Sequence, residues 1–415
     1  MSRFLFVVPP LTGHINPTVA VGGELERRGH EVAWVGHPAT LRPLLPDNAR
    51  IFPALDDSLE QDIQEARRRW LELKGIAVLK FLWEEFLIPL AHAMIPGVTA
   101  AIEEYEPDVL IADQQALAGP VVAMRTGIPW VTSASTSAEL VRPLRTMPKV
   151  EEWIRRRLAE LTESDADIRF SAHLVLAFTT RELVGAHEFP PHYVFTGPAL
   201  GRTERAGFPW EWLKDGHKRV LVSLGTLNGA AGHRFFGEVV SAVADLQNVQ
   251  VIMVAPPDAV TVPPHVLVAE RVPQLALMKH LDAVISHGGH NTVCETLAHG
   301  LPLVVTPIRD DQPIIAQQVA DAGAGIRLKY QRVRAGEIRE ALNSVLYGPG
   351  YAAGARRVQE SFRAAGGAAT AADHLEAVAC HVVGPVRTGG GPRPAGHLEA
   401  AGQGRPAAGA SAGVG

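Results

Sequence analysis

Cysteine is nearly absent: Cys294 and Cys380 are the only two in 415 residues. Two thiols make no disulfide framework, so a reducing cytosol is the expected setting. An excess of one charge is also missing. Lys and Arg number 39 against 44 Asp and Glu, a net charge of −5, and no single-sign block marks a nucleic acid or an acidic membrane surface as partner. Long hydrophobic runs are missing too. A membrane-spanning helix needs ~20 uninterrupted apolar residues. The nearest stretch, Leu79 to Val98, is broken by Lys80, Glu84, Glu85, Pro89 and His92. It reads as amphipathic helix around a pocket, with weak contact to a membrane surface as the alternative. The first apolar run ends at Pro9-Pro10, too short for a signal peptide, and reads as a buried first strand. No short-period repeat is present. What remains is an ordinary globular composition, 47% hydrophobic and 20% charged, and a length suited to two or three domains.

Short apolar runs alternate with helical patterns along the chain, the rhythm of βαβ units and parallel sheets covered on both faces. The first unit is a strand Phe4–Val8, a turn through His14, a helix beginning near Pro17 with Asn16 as its cap, and a glycine stop at Arg28-Gly29. Glu31–Val35 is the next strand. A second series starts at Arg219–Leu224 and continues through Val249–Val254, Ala283–Ser286, Leu303–Thr306 and Gly325–Leu328. The chain therefore divides into two α/β halves, residues 1–205 and 216–383, joined through a Gly-, Pro- and charge-rich stretch. Beyond Gly384, residues 384–415 are mostly Gly, Ala, Pro and Arg. Such a tail buries too little to offset chain entropy and is expected to be disordered.

The most informative segment is Ser286-His287-Gly288-Gly289-His290-Asn291-Thr292-Val293-Cys294-Glu295. It follows an apolar run and opens an amphipathic one, so it reads as strand, glycine turn, helix. Such a turn aims free backbone N–H groups and the positive helix end at an anion. Gly288 and Gly289 permit close approach. Asn291 and Glu295 share a helix face. An amide donates to phosphate and a carboxylate accepts from sugar hydroxyls, which suits a nucleotide carrying a diphosphate.

These residues, together with Gly13-His14-Ile15-Asn16-Pro17, Arg28-Gly29-His30-Glu31-Val32, Val222-Ser223-Leu224-Gly225-Thr226, Val272-Pro273-Gln274 and Asp311-Gln312, resemble the nucleotide-sugar-dependent glycosyltransferases of family 1, across residues 1 to 380. The group includes bacterial macrolide and carotenoid enzymes and plant secondary-metabolite enzymes. The resemblance implies the GT-B fold: two Rossmann-like domains facing across a cleft, acceptor in the N-terminal half and sugar nucleotide in the C-terminal half. It allows the last helices to pack back on the N-terminal half.

Residue by residue, the resemblance implies His14 as general base, next to Gly13, with Asp113 orienting it. A histidine suits that task because it titrates near neutrality. His287, Gly289, Asn291, Thr292 and Thr226 correspond to the diphosphate cradle, and Glu295 to the ribose-holding glutamate. Asp311 and Gln312 correspond to the acid–amide pair on the donor sugar. Arg271, Val272 and Gln274 correspond to the base-binding segment. Arg271 and His290 depart from the plant pattern, which has tryptophan at both positions. His30 and His37 read as surface or turn residues. Trp70, Phe81, Leu82, Trp83, Phe86 and Leu87 are the expected acceptor lining, core being the alternative. No metal or other cofactor is implied. A metal held by Asp310-Asp311 is the competing reading of that pair. The expected partners are a UDP- or dTDP-sugar and a small lipophilic or aromatic acceptor. An epimerase of the same fold and a non-catalytic partner protein are the alternatives. The pocket aromatics and the His14–Asp113 pair argue against the first, and the retained base and phosphate cradle argue against the second.

Overall fold

The computed structural model describes residues 1–56, 69–70, 73, 75–201, 207–225, 232–257 and 259–383. Thr226 and the segment 384–415 lie outside the described residues. Seven strands form the N-terminal sheet: β1 (Arg3–Val7), β2 (Glu31–Gly36), β3 (Arg50–Pro53), β4 (Val109–Asp113), β5 (Trp130–Ala134), β6 (Val175–Ala177) and β7 (Tyr193–Phe195). Six form the second: β8 (Lys218–Ser223), β9 (Val249–Val254), β10 (Val266–Ala269), β11 (Ala283–Ser286), β12 (Leu303–Val305) and β13 (Gly325–Arg327). The orders are β3-β2-β1-β4-β5-β6-β7 and β10-β9-β8-β11-β12-β13. The pairings are parallel throughout, as in β1 with β2 and β4, and β8 with β9 and β11. Each sheet is buried on both faces, so its central strands read as largely apolar runs rather than as strict alternation, with a few buried polar residues such as Thr132 and Gln250 among them. In β1, Phe4 and Phe6 pack into one core with Trp34, while Leu5 and Val7 pack into another with Val35 and Met94.

The first helix spans Thr12–Arg27, with Leu11 as its N-cap and Gly29 at φ 85° beyond its end. It begins five residues before Pro17, so Asn16 is no cap and His14 lies in the first helical turn. The glycine stop stands where expected. Pro17 inside the helix has no N–H for the carbonyl four residues back, which leaves Gly13 O without its helical donor.

A continuous helix covers Ile76–Tyr105. It passes through a π-helical turn at Leu82–Leu87, where the Ile88 N–H bonds to Trp83 O, five residues back. Pro89 follows at once and cannot donate to Glu85 O, and a widened turn absorbs that loss. By length and composition alone this helix is long and apolar enough to cross a membrane. Its buried face, including Leu90, Met94, Val98 and Ile102, packs on the N-terminal sheet.

The last helix, Ala368–Val383, leaves the second half and docks on the first. Ala371, Ala372, Leu375 and Ala379 enter the same core as Phe4, Phe6 and Leu25. Arg28 binds Asp373 at 2.6 Å and Glu376 at 2.7 Å, and His30 Nε2 meets Glu376 Oε1 at 2.7 Å. His30 thus anchors a helix. His37 is buried in its turn, 2.8 Å from Thr40 Oγ1, not at the surface.

Candidate active site

In a parallel open sheet, ligands bind beyond the carboxyl ends of the strands, where the strand order reverses. In the N-terminal sheet that point lies between β1 and β4, and in the second between β8 and β11. His14 follows β1, and Asp113 ends β4. Gly225 follows β8, and His287 follows β11. The two crevices open into one cleft of about 2340 Å³ lined by both halves.

On the N-terminal side, His14 Nδ1 lies 2.8 Å from Asp113 Oδ1 and 2.7 Å from Ser135 Oγ. Ser135 donates its own proton to Asp113 Oδ2 at 2.7 Å. Asp113 only accepts, so Nδ1 carries the ring proton and Nε2 keeps its lone pair. The Gln115 N–H also bonds Asp113 Oδ1 at 2.9 Å. Asp113 is fully buried, while the His14 side chain is 17% exposed and reachable from the cleft. Burial alone would lower the His14 pKa. The Asp113 charge and hydrogen bond outweigh it, aided by Glu139 and Asp311, and hold the imidazole above its ordinary value. Asp108, at the opposite edge, instead accepts from Arg3 N at 2.8 Å.

Across the cleft, His287 stands between two glycines. A Cβ on Gly225 would come within 2.7 Å of its Cε1, and one on Gly289 within 2.7 Å of its Nε2. Burial, opposed by Asp311, keeps the His287 pKa below its ordinary value, so at neutral pH the ring is an uncharged hydrogen-bonding group. The helix His290–Ala298 starts from Gly289 with no side-chain cap, so its first N–H groups are open to a ligand. Asn291, Thr292, Glu295, Arg271, Val272, Gln274, Asp311 and Gln312 line the same cleft. Gln274 Nε2 donates to Glu295 Oε2 at 2.5 Å. Gln312 Oε1 accepts from the N–H groups of Ile308 and Arg309, which braces the loop after β12. Arg271 is exposed and Val272 buried.

Several contacts join the halves. Asn291 Nδ2 donates to Gly13 O at 2.9 Å, the carbonyl that Pro17 leaves free. Buried His290 donates from Nε2 to Phe178 O at 3.2 Å, so the departure from tryptophan has a structural use. Thr136 Oγ1 donates to Asp311 Oδ2 at 2.6 Å, and Ser137 Oγ to Gln318 Oε1 at 2.6 Å. Trp70, Phe81, Leu82, Trp83 and Phe86 line the cleft, but Leu87 turns into the core with Ile154 and Leu158. Asp310, the supposed metal partner of Asp311, is exposed at φ 56°.

Sequence reasoning missed Gln115, Ser135, Thr136, Ser137 and Glu139. The signal was a hydroxyl-rich run, Ser133 to Ser137, at the carboxyl end of an apolar strand. Glu139 lines the cleft, and burial together with the Asp113 and Asp311 charges raises its pKa to about 7 against the pull of Gln115 and His14.

Known proteins match this architecture. Residues 237–378 fit the family described as erythromycin biosynthesis protein CIII-like, C-terminal domain. An uncharacterized UDP-glucosyltransferase, YdhE, of Bacillus subtilis (strain 168) is 32% identical over 386 residues, 88% of this chain and 95% of the relative. The 4'-demethylrebeccamycin synthase of Lentzea aerocolonigenes is 28% identical over 416 residues, covering 90% and 99%. The solved structure of the glycotransferase of kitacinnamycin superposes with a TM-score of 0.73 at 27% identity, covering 91% of this chain and 99% of that one. With two facing parallel-sheet halves, one shared cleft and a relative of this identity along nearly the whole chain, the protein belongs to the family 1 nucleotide-sugar-dependent glycosyltransferases of the GT-B fold.

Proposed function

We propose that this glycosyltransferase inverts the anomeric centre of a UDP- or dTDP-sugar, needs no metal, and glycosylates a small lipophilic or aromatic natural product, with His14 as base. The observation that carries the reading is the His14 ring, fixed through Nδ1 by Asp113 at 2.8 Å, with Nε2 left for a substrate proton. The acceptor hydroxyl gives its proton to Nε2 as its oxygen attacks the anomeric carbon. Asp113 steadies the imidazolium that forms. The bond to the diphosphate breaks, and its electron pair leaves with the nucleotide. Attack from the face opposite the leaving group inverts the centre.

The leaving diphosphate is met by the open N–H groups after Gly289, by neutral His287 as a hydrogen-bond partner, and by Thr292 and the second N–H of Asn291. Glu295, held by Gln274, accepts from the ribose hydroxyls. Arg271 stacks on the base beside Val272. Asp311 and the Gln312 amide nitrogen grip the sugar. Leu79, Leu82, Trp83, Phe86, Met147 and Phe170 give the acceptor end an apolar wall, which suits a lipophilic ring system. The names of the relatives support a nucleotide-sugar donor and a natural-product acceptor.

The test is a panel of UDP- and dTDP-sugars with hydroxylated aromatic acceptors, read by mass for glycoside and free nucleotide, and by NMR for the new anomeric configuration. An α-linked donor is expected to give a β-glycoside with EDTA present. A retained configuration, or turnover restored only by Mg²⁺ or Mn²⁺, would overturn the mechanism.

A further inference from the structure

Asp311 is the N-cap residue of the helix Gln312–Asp321, yet its side chain makes no cap hydrogen bond. An aspartate there ordinarily accepts from the second or third N–H of its own helix. Here its Oδ2 takes the proton of Thr136 Oγ1 at 2.6 Å. Thr136 is buried and comes from the opposite half, in the loop after β5. The direction of this bond is fixed. Thr136 Oγ1 accepts from the Ala138 N–H at 3.4 Å, and an ionised carboxylate has no proton to give. The flanking hydroxyls are equally committed. Ser135 bridges His14 and Asp113, and Ser137 reaches Gln318 on the helix that Asp311 begins.

We propose that Thr136 is a positioning residue: it draws the Asp311 carboxylate off its own helix end and aims it at the donor sugar, and it does so only while the two halves are closed. One tripeptide, Ser135-Thr136-Ser137, then sets the base and the sugar-gripping acid in a common register. A donor bound in an open cleft meets a carboxylate free to fall back onto its helix cap. The donor sugar is therefore held for attack only when the acceptor half is in place, which limits loss of the sugar to water. This inference rests on the reading of Asp311 as a sugar ligand.

The experiment compares the wild type with Thr136→Val, Thr136→Ser, Asp311→Ala and the double variant Thr136→Val/Asp311→Ala. The readouts are kcat/KM for the full sugar nucleotide, Kd for the bare nucleoside diphosphate, and glycoside formed per diphosphate released. Valine keeps the shape and removes the proton. Losing a hydrogen bond to a charged group is expected to lower kcat/KM about tenfold or more. Glycoside per diphosphate should fall, and Kd for the bare diphosphate should stay within about twofold. Serine is expected to restore both. The double variant should be no worse than Asp311→Ala alone, because the threonine acts through that carboxylate. Wild-type turnover by Thr136→Val, additive losses in the double variant, or equal loss of bare-diphosphate affinity would overturn the inference while leaving the transferase reading intact. Failure of the wild type to release diphosphate from any sugar nucleotide would overturn both.

Discussion

At the residue scale, the proposed chemistry rests on His14 keeping a free Nε2. His14→Ala is expected to lower transfer roughly 10²- to 10⁴-fold with Kd for the bare nucleotide unchanged, since His14 belongs to the opposite half. Isothermal titration alongside turnover checks this. In the proposed role His14 works only when neutral, and its pKa is raised above the ordinary imidazole value. Activity is therefore lost as pH falls through that raised value. Asp113→Asn removes the negative charge that does most to hold it up, so the acidic limb of kcat/KM should move to lower pH while the plateau rate drops. An unmoved limb would remove Asp113 from this role. His14, Asp113 and the glycine turn were legible because their residue types sit at fixed places beside strands. Ser135, Thr136 and Glu139 were not. Hydroxyls and a lone carboxylate in a loop carry no spacing, and their partners Asp113 and Asp311 are distant in sequence.

At the element scale, the strands at the centre of each sheet were legible to within a residue or two, because doubly covered parallel strands are largely apolar runs, whereas β3, β5, β6, β7 and β10 were not read. The start of the first helix was not. Pro17 resembles a first-turn proline, yet the helix begins at Thr12 and accepts the lost bond, because Asn291 supplies a donor to Gly13 O from the other half. No local rule anticipates a helix whose missing hydrogen bond is met 278 residues away. The glycine turn after β11 gives a clean test. Gly289 has an ordinary φ of −61°, so alanine there brings no backbone strain. Its Cβ, however, lies 2.7 Å from His287 Nε2, and the ring has to move. Gly289→Ala is expected to keep its melting temperature within a few degrees, about 1 kcal/mol for a chain this size, while losing at least tenfold in nucleotide affinity. Normal nucleotide binding by this variant would show that the ring position is immaterial.

At the scale of the whole molecule, the chain passes between the two halves twice, once through the segment between β7 and β8 and once by the return of the last helix. Leu375 is fully buried in the N-terminal core that includes Phe4, Phe6 and Leu25. Leu375→Ala is expected to cost about 2–5 kcal/mol, seen as a lower midpoint in chemical denaturation. An unchanged midpoint would mean that the helix merely rests on the surface. That return bears on how such enzymes are recombined. A chimera made with a single crossover near residue 207 would join an N-terminal sheet from one parent to a closing helix from the other. Arg28 and His30 would then face foreign partners in place of Asp373 and Glu376. A design faithful to this architecture needs two crossovers, the second at Gly366-Gly367, where both residues have positive φ and the chain turns home. The exchangeable module that carries the second sheet is thus an insert within its host rather than its second half.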